Sequence, residues 1–195
     1  MNRTEIRITG YGGQGVVLSG YIIGRAWAVH GGKHATMTQS FGPEARGSAC
    51  STALVLSDEE VLYPYIRRPD IFAVMSSEGY DKYREELKDQ GILVYEQNLV
   101  HPTFIEGQPS FGVPSVRIAE SLGRSIVQNI VMLGFFTGVT KFVSHEEMRE
   151  AVKSSVPSGT EDLNLRAFEA GWDHYEKEYG ENKGQEVAAA AEKTA

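Results

Sequence analysis

A run of glycines near the start, Gly10-Tyr11-Gly12-Gly13-Gln14-Gly15, constrains this chain more than any other stretch. Ahead of it Glu5, Ile6, Arg7 and Ile8 alternate polar with apolar as a short strand does. Behind it residues 16 to 29 run almost unbroken through Val, Leu, Ile, Ala and Trp. Strand, glycine turn, helix is the implied order. Gly10, Gly12 and Gly15 fit the spacing G-x-G-x-x-G, whose glycines permit a tight turn, admit a phosphate to the backbone and let helix pack on strand. The helix directs its unpaired N–H groups and positive dipole end into that turn, a place for an anion. A glycine-rich corner that only joins strand to helix reads the same way, and both readings stand at this point.

A dinucleotide site of the usual kind adds an acidic residue about 20 positions later, at the tip of the second strand. Here that strand is expected at Lys33 to Thr38 and continues Gln39-Ser40 without a carboxylate; Glu44 comes only after Gly42-Pro43, in a loop. The turn is therefore phosphate-sized but lacks its nicotinamide-dinucleotide partner. The loop from Gln39 to Gly47 lies where open α/β sheets bind ligands, and it offers Ser40, Glu44 and Arg46. A Glu44–Arg46 ion pair decorating a turn is the plainer alternative.

Along the rest of the chain, strand and helix patterns alternate. The first helix, about 15 to 30, is too apolar for a surface helix; Gly20, Gly24 and Ala28 line one side of it for close packing, against the chain's own sheet or another chain. Strands are expected at Ser48 to Ser57, Asp70 to Met75, Gly91 to Tyr95 and Val113 to Val116, with short extended pieces at Val61 to Tyr65 and Thr103 to Glu106. Ser76 is placed to cap a helix through Tyr80, Tyr83 and Leu87; further helices are expected at 117 to 123 and 126 to 138. Ser144-His145-Glu146-Glu147 has the form of a capping box opening a helix to about Ser155. A last helix from Thr160 carries Leu165, Phe168, Trp172, Tyr175 and Tyr179 as a docking stripe. The recurring strand-helix-strand pattern specifies an α/β fold: a Rossmann-like, doubly wound, mostly parallel sheet with flanking helices in a single domain, residues 1–179. Residues 180–195, rich in Gly, Glu, Lys, Asn and Ala, read as a flexible tail.

The formal net charge of -7 argues against nucleic acid or an anionic membrane as the main partner. No apolar run approaches the ~20 residues of a membrane span and no leader pattern opens the chain, so a cytoplasmic protein is expected. Cys50 is the one cysteine, which leaves nothing from which to build a disulfide framework or a cysteine-ligated cluster within the chain. None of His30, His34, His101, His145 and His174 stands at metal-ligand spacing to another, and no serine sits in a nucleophile elbow. A surface for holding a ligand, without a reaction centre, suggests a subunit.

The stretches Gly10 to Val16, Gln39 to Gly47, Asp70 to Val74 and Asn129 to Gly134 together resemble the gamma subunit of 2-oxoacid:acceptor oxidoreductases, over about residues 5 to 175. Ser48 departs from the family, which often has a second glycine after Arg-Gly. The resemblance implies a complex that decarboxylates a 2-oxoacid on thiamine diphosphate and magnesium in alpha and beta subunits. Its electrons pass through iron-sulfur clusters in partner subunits to ferredoxin or a related acceptor, and it usually releases an acyl-coenzyme A. It further implies that this chain helps to enclose coenzyme A and has no catalytic centre of its own. On that basis Gly12, Gly13, Gln14 and Gly15, with Ser40, Glu44 and Arg46, are the expected ligand-contacting residues. A subunit serving assembly alone and an independent NAD(P)-binding protein are the rival readings.

Overall fold

In a computed structural model, which describes residues 3–41 and 49–180, six strands form one sheet in the order β2-β3-β1-β4-β5-β6. They are β1 (Arg3–Tyr11), β2 (His34–Ser40), β3 (Ala49–Ser57), β4 (Ile71–Val74), β5 (Ile92–Glu96) and β6 (Ser110–Val113). β1, β4, β5 and β6 pair in parallel, whereas β3 is antiparallel to both β1 and β2. The mostly parallel sheet is as expected. The hairpin that inserts β3 between β1 and β2 was not, and burial explains it. Every residue of β3 is buried, so it needs cover on both faces and takes an interior place, while the half-exposed β2 takes the edge.

Alternation along the strands sorts side chains into two cores. Ile6, Ile8, Leu54, Leu56, Ile71 and Ala73 face one layer; Phe72, Val74 and Leu93 face the other, beneath Tyr80, Tyr83 and Leu87. The first layer is built by α1 (Val16–Arg25, continued as a π-turn through Ala26–His30), α3 (Ser115–Ser121), α4 (Gln128–Thr140), α5 (His145–Ser155) and α6 (Glu161–Tyr179). The second layer holds the short α2 (Ser77–Tyr83) and a 3₁₀ turn at Arg84–Glu86. Helices on both faces make the winding double.

α4 is the centre of the first layer. Ten consecutive residues, Asn129 to Gly138, are buried, so the helix has no polar face to give to water. Its cover is α6, which crosses it at van der Waals contact of the backbones: a Cβ on Gly134 would lie 1.9 Å from the Phe168 carbonyl oxygen, and one on Gly171 would lie 1.9 Å from that of Val131. The aromatic stripe of α6 therefore docks within the chain, with Phe168 and Tyr175 buried. At its end the Tyr179 hydroxyl bonds both the N–H and the carbonyl of Gly112, closing that edge of the sheet. The small-residue side of α1 likewise meets its own sheet: a Cβ on Gly20 would be 2.3 Å from the Thr52 methyl.

The capping expectations hold. Ser76 accepts from the Gly79 N–H, and Ser144 and Glu147 complete a reciprocal box. The strand expected at Val113 to Val116 is displaced: β6 ends at Val113, and Pro114, which has no N–H to give a ladder, opens α3 instead. No strand forms at 61 to 65 or 103 to 106. Among the described residues no helix is long and apolar enough to cross a membrane. The expected tail, from 181 onward, lies outside the described residues.

Candidate functional site

The glycine turn occupies the point where the winding reverses. β1 and β4 are parallel neighbours; α1 leaves the tip of β1 toward one face of the sheet and α2 leaves the tip of β4 toward the other. In open α/β sheets the crevice outside such a pair of strand tips is the ligand position.

Each glycine of the turn meets a different demand. A Cβ on Gly10 would lie 2.6 Å from Gln14 Oε1 and 2.9 Å from a Val16 methyl, so this position serves close packing of strand on helix. Gly15, the N-cap of α1, has φ 74°, and a Cβ there would lie 2.4 Å from Asn129 Nδ2. Gly13 has φ 98° but nothing within 4 Å of its Cβ position, and it is exposed. The turn is thus closed on its inner side and open at Gly13.

Gln14 fastens the turn. Its Oε1 accepts from the Tyr11 N–H at 2.6 Å, its Nε2 donates to the Met75 carbonyl at 3.2 Å, and its own backbone N–H donates to the Tyr11 carbonyl at 3.1 Å. The side chain is therefore committed to the tips of β1 and β4. No side chain caps the start of α1, and the first-turn N–H groups of an α-helix have no acceptor inside the helix. An uncapped helix start beside an open glycine is a donor-rich surface with positive potential, suited to a phosphate oxygen.

Sequence reasoning missed two residues that shape this end of the molecule. Asn129, on the first turn of α4 and only 3% exposed, packs its amide on Gly15 and donates to the Gly15 carbonyl at 3.5 Å. The polar pair Gln128-Asn129 directly ahead of the apolar run from Ile130 to Phe136 was the available signal. Glu96, fully buried at the tip of β5, accepts from the Ser115 hydroxyl, from the Val116 N–H at 3.0 Å and from the Asn98 N–H at 2.9 Å. Its carboxylate neutralises the positive start of α3 and ties the neighbouring loop to it.

Ser40 stands apart from the glycine turn. Ser40 is exposed at the end of β2, paired with Ser51 of β3, which in turn pairs with Thr9 of β1. Two strand spacings, about 10 Å, separate it from β1. Glu44 and Arg46 lie outside the described residues. The same insertion of β3 bears on the dinucleotide reading, because the strand whose tip would carry a ribose-binding acid is not beside β1. Cys50, opposite Gly10 on β3, is 8% exposed, and burial pushes its thiol above the ordinary value, which keeps it protonated and unreactive. Among the described residues no three His, Cys, Asp or Glu side chains are grouped to hold a metal.

The model of the pyruvate ferredoxin/flavodoxin oxidoreductase family matches residues 5–174. The 2-oxoglutarate synthase subunit KorC of Methanocaldococcus jannaschii is 44% identical over 174 residues, 88% of this chain and 93% of that one. The pyruvate synthase subunit PorC of Methanothermobacter marburgensis is 33% identical over 167 residues, 84% of this chain and 92% of that one. The crystal structure of a keto/oxoacid ferredoxin oxidoreductase gamma subunit from Geobacter sulfurreducens PCA is 36% identical and superposes with a TM-score of 0.77, covering 87% of this chain and 96% of that one.

Proposed function

The chain belongs to the pyruvate ferredoxin/flavodoxin oxidoreductase family and is the gamma subunit of a 2-oxoacid:ferredoxin oxidoreductase, and from that premise we propose that its glycine turn helps to enclose coenzyme A in the assembled complex. The observation that supports this reading is the open flank of Gly13 beside the uncapped start of α1. Backbone N–H groups of Gly12, Gly13 and Gly15 receive a phosphate of coenzyme A, while Gln14 holds the turn in shape. Arg46, with Glu44 on the β2–β3 connection and Ser40 at the end of β2, adds charge or fixes that connection to a catalytic subunit.

The bond-breaking chemistry belongs to the neighbours. Alpha, beta and cluster-bearing subunits hold thiamine diphosphate, magnesium and iron-sulfur clusters, and electrons leave for ferredoxin or a related acceptor. A single, buried cysteine supports that division of labour. The 44% identity to KorC favours 2-oxoglutarate as the oxoacid over pyruvate. Residues 1–179 act as one unit, and the complex works in the cytoplasm.

A second reading, a subunit that serves assembly alone, draws on the complete engagement of the Gln14 amide within the chain. Gly13→Leu separates the two. No atom lies within 4 Å of that position's Cβ, so the new side chain meets no neighbour there; because a side chain at φ 98° adds about 1–2 kcal/mol of backbone strain, intact assembly of the complex is verified before the constant is read. The apparent Michaelis constant for coenzyme A should rise about tenfold or more, with thiamine diphosphate and cluster content of the complex unchanged. An unaltered constant in a fully assembled complex would reject enclosure and leave assembly.

A further inference from the structure

The two stripes that mark docking faces in the sequence are spent inside the chain: α6 lies on α4, and the small-residue side of α1 lies on the sheet. A subunit meets its partners elsewhere. Five helices cover one face of the sheet, whereas the other carries only the seven residues of α2, the turn at Arg84–Glu86 and the connections beside them.

Those connections hold large apolar side chains in water. Leu62, Tyr63 and Tyr65, between β3 and β4, and Phe104 and Ile105, between β5 and β6, are each more than half exposed, Leu62 to 87%. Both groups belong to the α2 face. Arg3 donates to the Tyr63 carbonyl, the Tyr63 and Tyr65 rings meet edge to face at 5.6 Å, and Tyr65 lies in the same cleft as Arg7. On the other side of α2 the Thr103 N–H donates to the Tyr80 hydroxyl at 3.0 Å, and the Phe104 ring meets Tyr95. Arg7, Phe72 and Leu93 pair across β1, β4 and β5, so the sheet beneath the two groups spans two strand spacings, about 10 Å. One interface of ordinary size, roughly 800 Å² on each partner, covers both. Exposed aromatic and aliphatic groups gathered in this way are the composition of an interface centre.

The charges around them say what kind of surface fits. Glu59, Glu60, Glu78, Asp81, Glu85 and Glu106 are exposed, and none is in an ion pair among the described residues. The lysines and arginines of this face are already engaged: Arg3, Arg7, Arg68 and Lys88 pair with carboxylates, and Lys82 and Arg84 lie over the rings of Tyr83 and Tyr80. Arg67 alone among them is left over. The face therefore offers apolar contacts amid uncompensated negative charge.

We propose that the α2 face is where this subunit docks on another subunit of its complex, one that presents an apolar surface interspersed with lysine and arginine. The basic side chains meet α2 between the two apolar groups, which fixes the orientation of the contact and speeds its formation. The proposal rests on membership of a multi-subunit complex and is independent of the coenzyme A reading: Leu62 to Tyr65 follow Ser57, which pairs with Arg3 at the start of β1, and the glycine turn is at its other end.

Co-expression of the whole complex with an affinity tag on a catalytic subunit tests this, the readout being the amount of this chain retained per catalytic subunit. Leu62→Ser with Ile105→Ser should lower that ratio about fivefold or more, and so should Asp81→Lys with Glu85→Lys. Wild type should be released progressively between about 50 and about 500 mM sodium chloride. Tyr21→Ser with Val29→Ser, equally exposed but on α1, should leave the ratio unchanged. Full retention of either α2-face variant overturns the proposal, as does an equal loss in the α1 variant. Self-association of the purified chain that Leu62→Ser with Ile105→Ser abolishes would assign the face to a second copy, and overturns it too. Urea midpoints of the purified variants should match wild type; where the apolar variant is unstable, the charge reversal decides alone.

Discussion

Replacing Gly15 by alanine separates two reasons for a glycine at the start of α1. The first is backbone conformation: φ is 74°, a region that costs an L-residue about 1–2 kcal/mol. The second is room. The new Cβ would lie 2.4 Å from Asn129 Nδ2 and 2.6 Å from its Cγ, so the amide must move. Asn129 is 3% exposed and cannot turn to water, and a displaced, unpaired buried amide costs a further 1–3 kcal/mol or about that. Gly15→Ala should therefore destabilise the chain by about 2–5 kcal/mol in urea unfolding followed by circular dichroism. Gly13→Ala is the internal control: its φ is 98° but its Cβ meets nothing, so only the conformational part, about 1–2 kcal/mol, should appear. In an Asn129→Ala background the two shortest contacts of the new Cβ go and only the one with the residue-129 Cβ, at 3.1 Å, is left, so most of the steric part is relieved and the two changes become strongly non-additive. Equal costs for the two glycines, or additivity within about 0.5 kcal/mol in the double variant, would refute the packing argument.

Three further outcomes follow from other parts of the fold. Gly171→Ala drives a methyl into the Val131 carbonyl at the α4–α6 crossing and should cost about 3 kcal/mol or more, seen as a fall in the urea midpoint of the purified chain. Lys141, the one non-glycine residue with positive φ among the described residues, ends α4 at φ 53°; Lys141→Gly should raise stability by about 1 kcal/mol in the same assay. Ser144→Ala removes the side-chain half of the α5 capping box, leaving the backbone N–H of residue 144 to donate to Glu147, and should cost about 1 kcal/mol at neutral pH. The Ser144 hydroxyl, then its backbone N–H, hold the Glu147 carboxyl below its ordinary value. A carboxyl lowered in the folded state stabilises above its unfolded pKa and loses that contribution as the pH falls through the folded one. The gap between wild type and Ser144→Ala should therefore narrow in acid, down to the part held by the Glu147 N–H to Ser144 hydroxyl bond, measured by urea midpoints across the acidic range.

Local patterns made much of this legible in the sequence. Alternation at Glu5 to Ile8 placed β1, the Ser144–Glu147 spacing placed a cap that forms as expected, and the α6 stripe meets a real surface. The insertion of β3 depends on which strand needs two covered faces, a property of the whole sheet. One clue was present: Ala53 and Val55 are as apolar as Leu54 and Leu56, so neither side of that strand was fit for solvent. Ser40 is grouped with the glycines because its loop follows a strand tip, where open α/β sheets bind ligands, whereas its distance from β1 is set by a strand order that no local pattern shows. Gln14 was noted for its place in the turn, but the destination of its amide, Met75 just past the tip of β4, is a tertiary fact that no spacing along the chain encodes.

The burial of α4 has a consequence for how the subunit comes into being. Its cover arrives from both directions along the chain, and the last piece, α6, is complete only at Tyr179. While the polypeptide is being synthesised, the most water-averse helix therefore emerges from the ribosome about 40 residues before its lid, at a stage when chains of this size are prone to aggregate. A chain truncated ahead of α6 leaves that helix uncovered and should collect in the insoluble fraction on expression, and a soluble truncation would refute this reading.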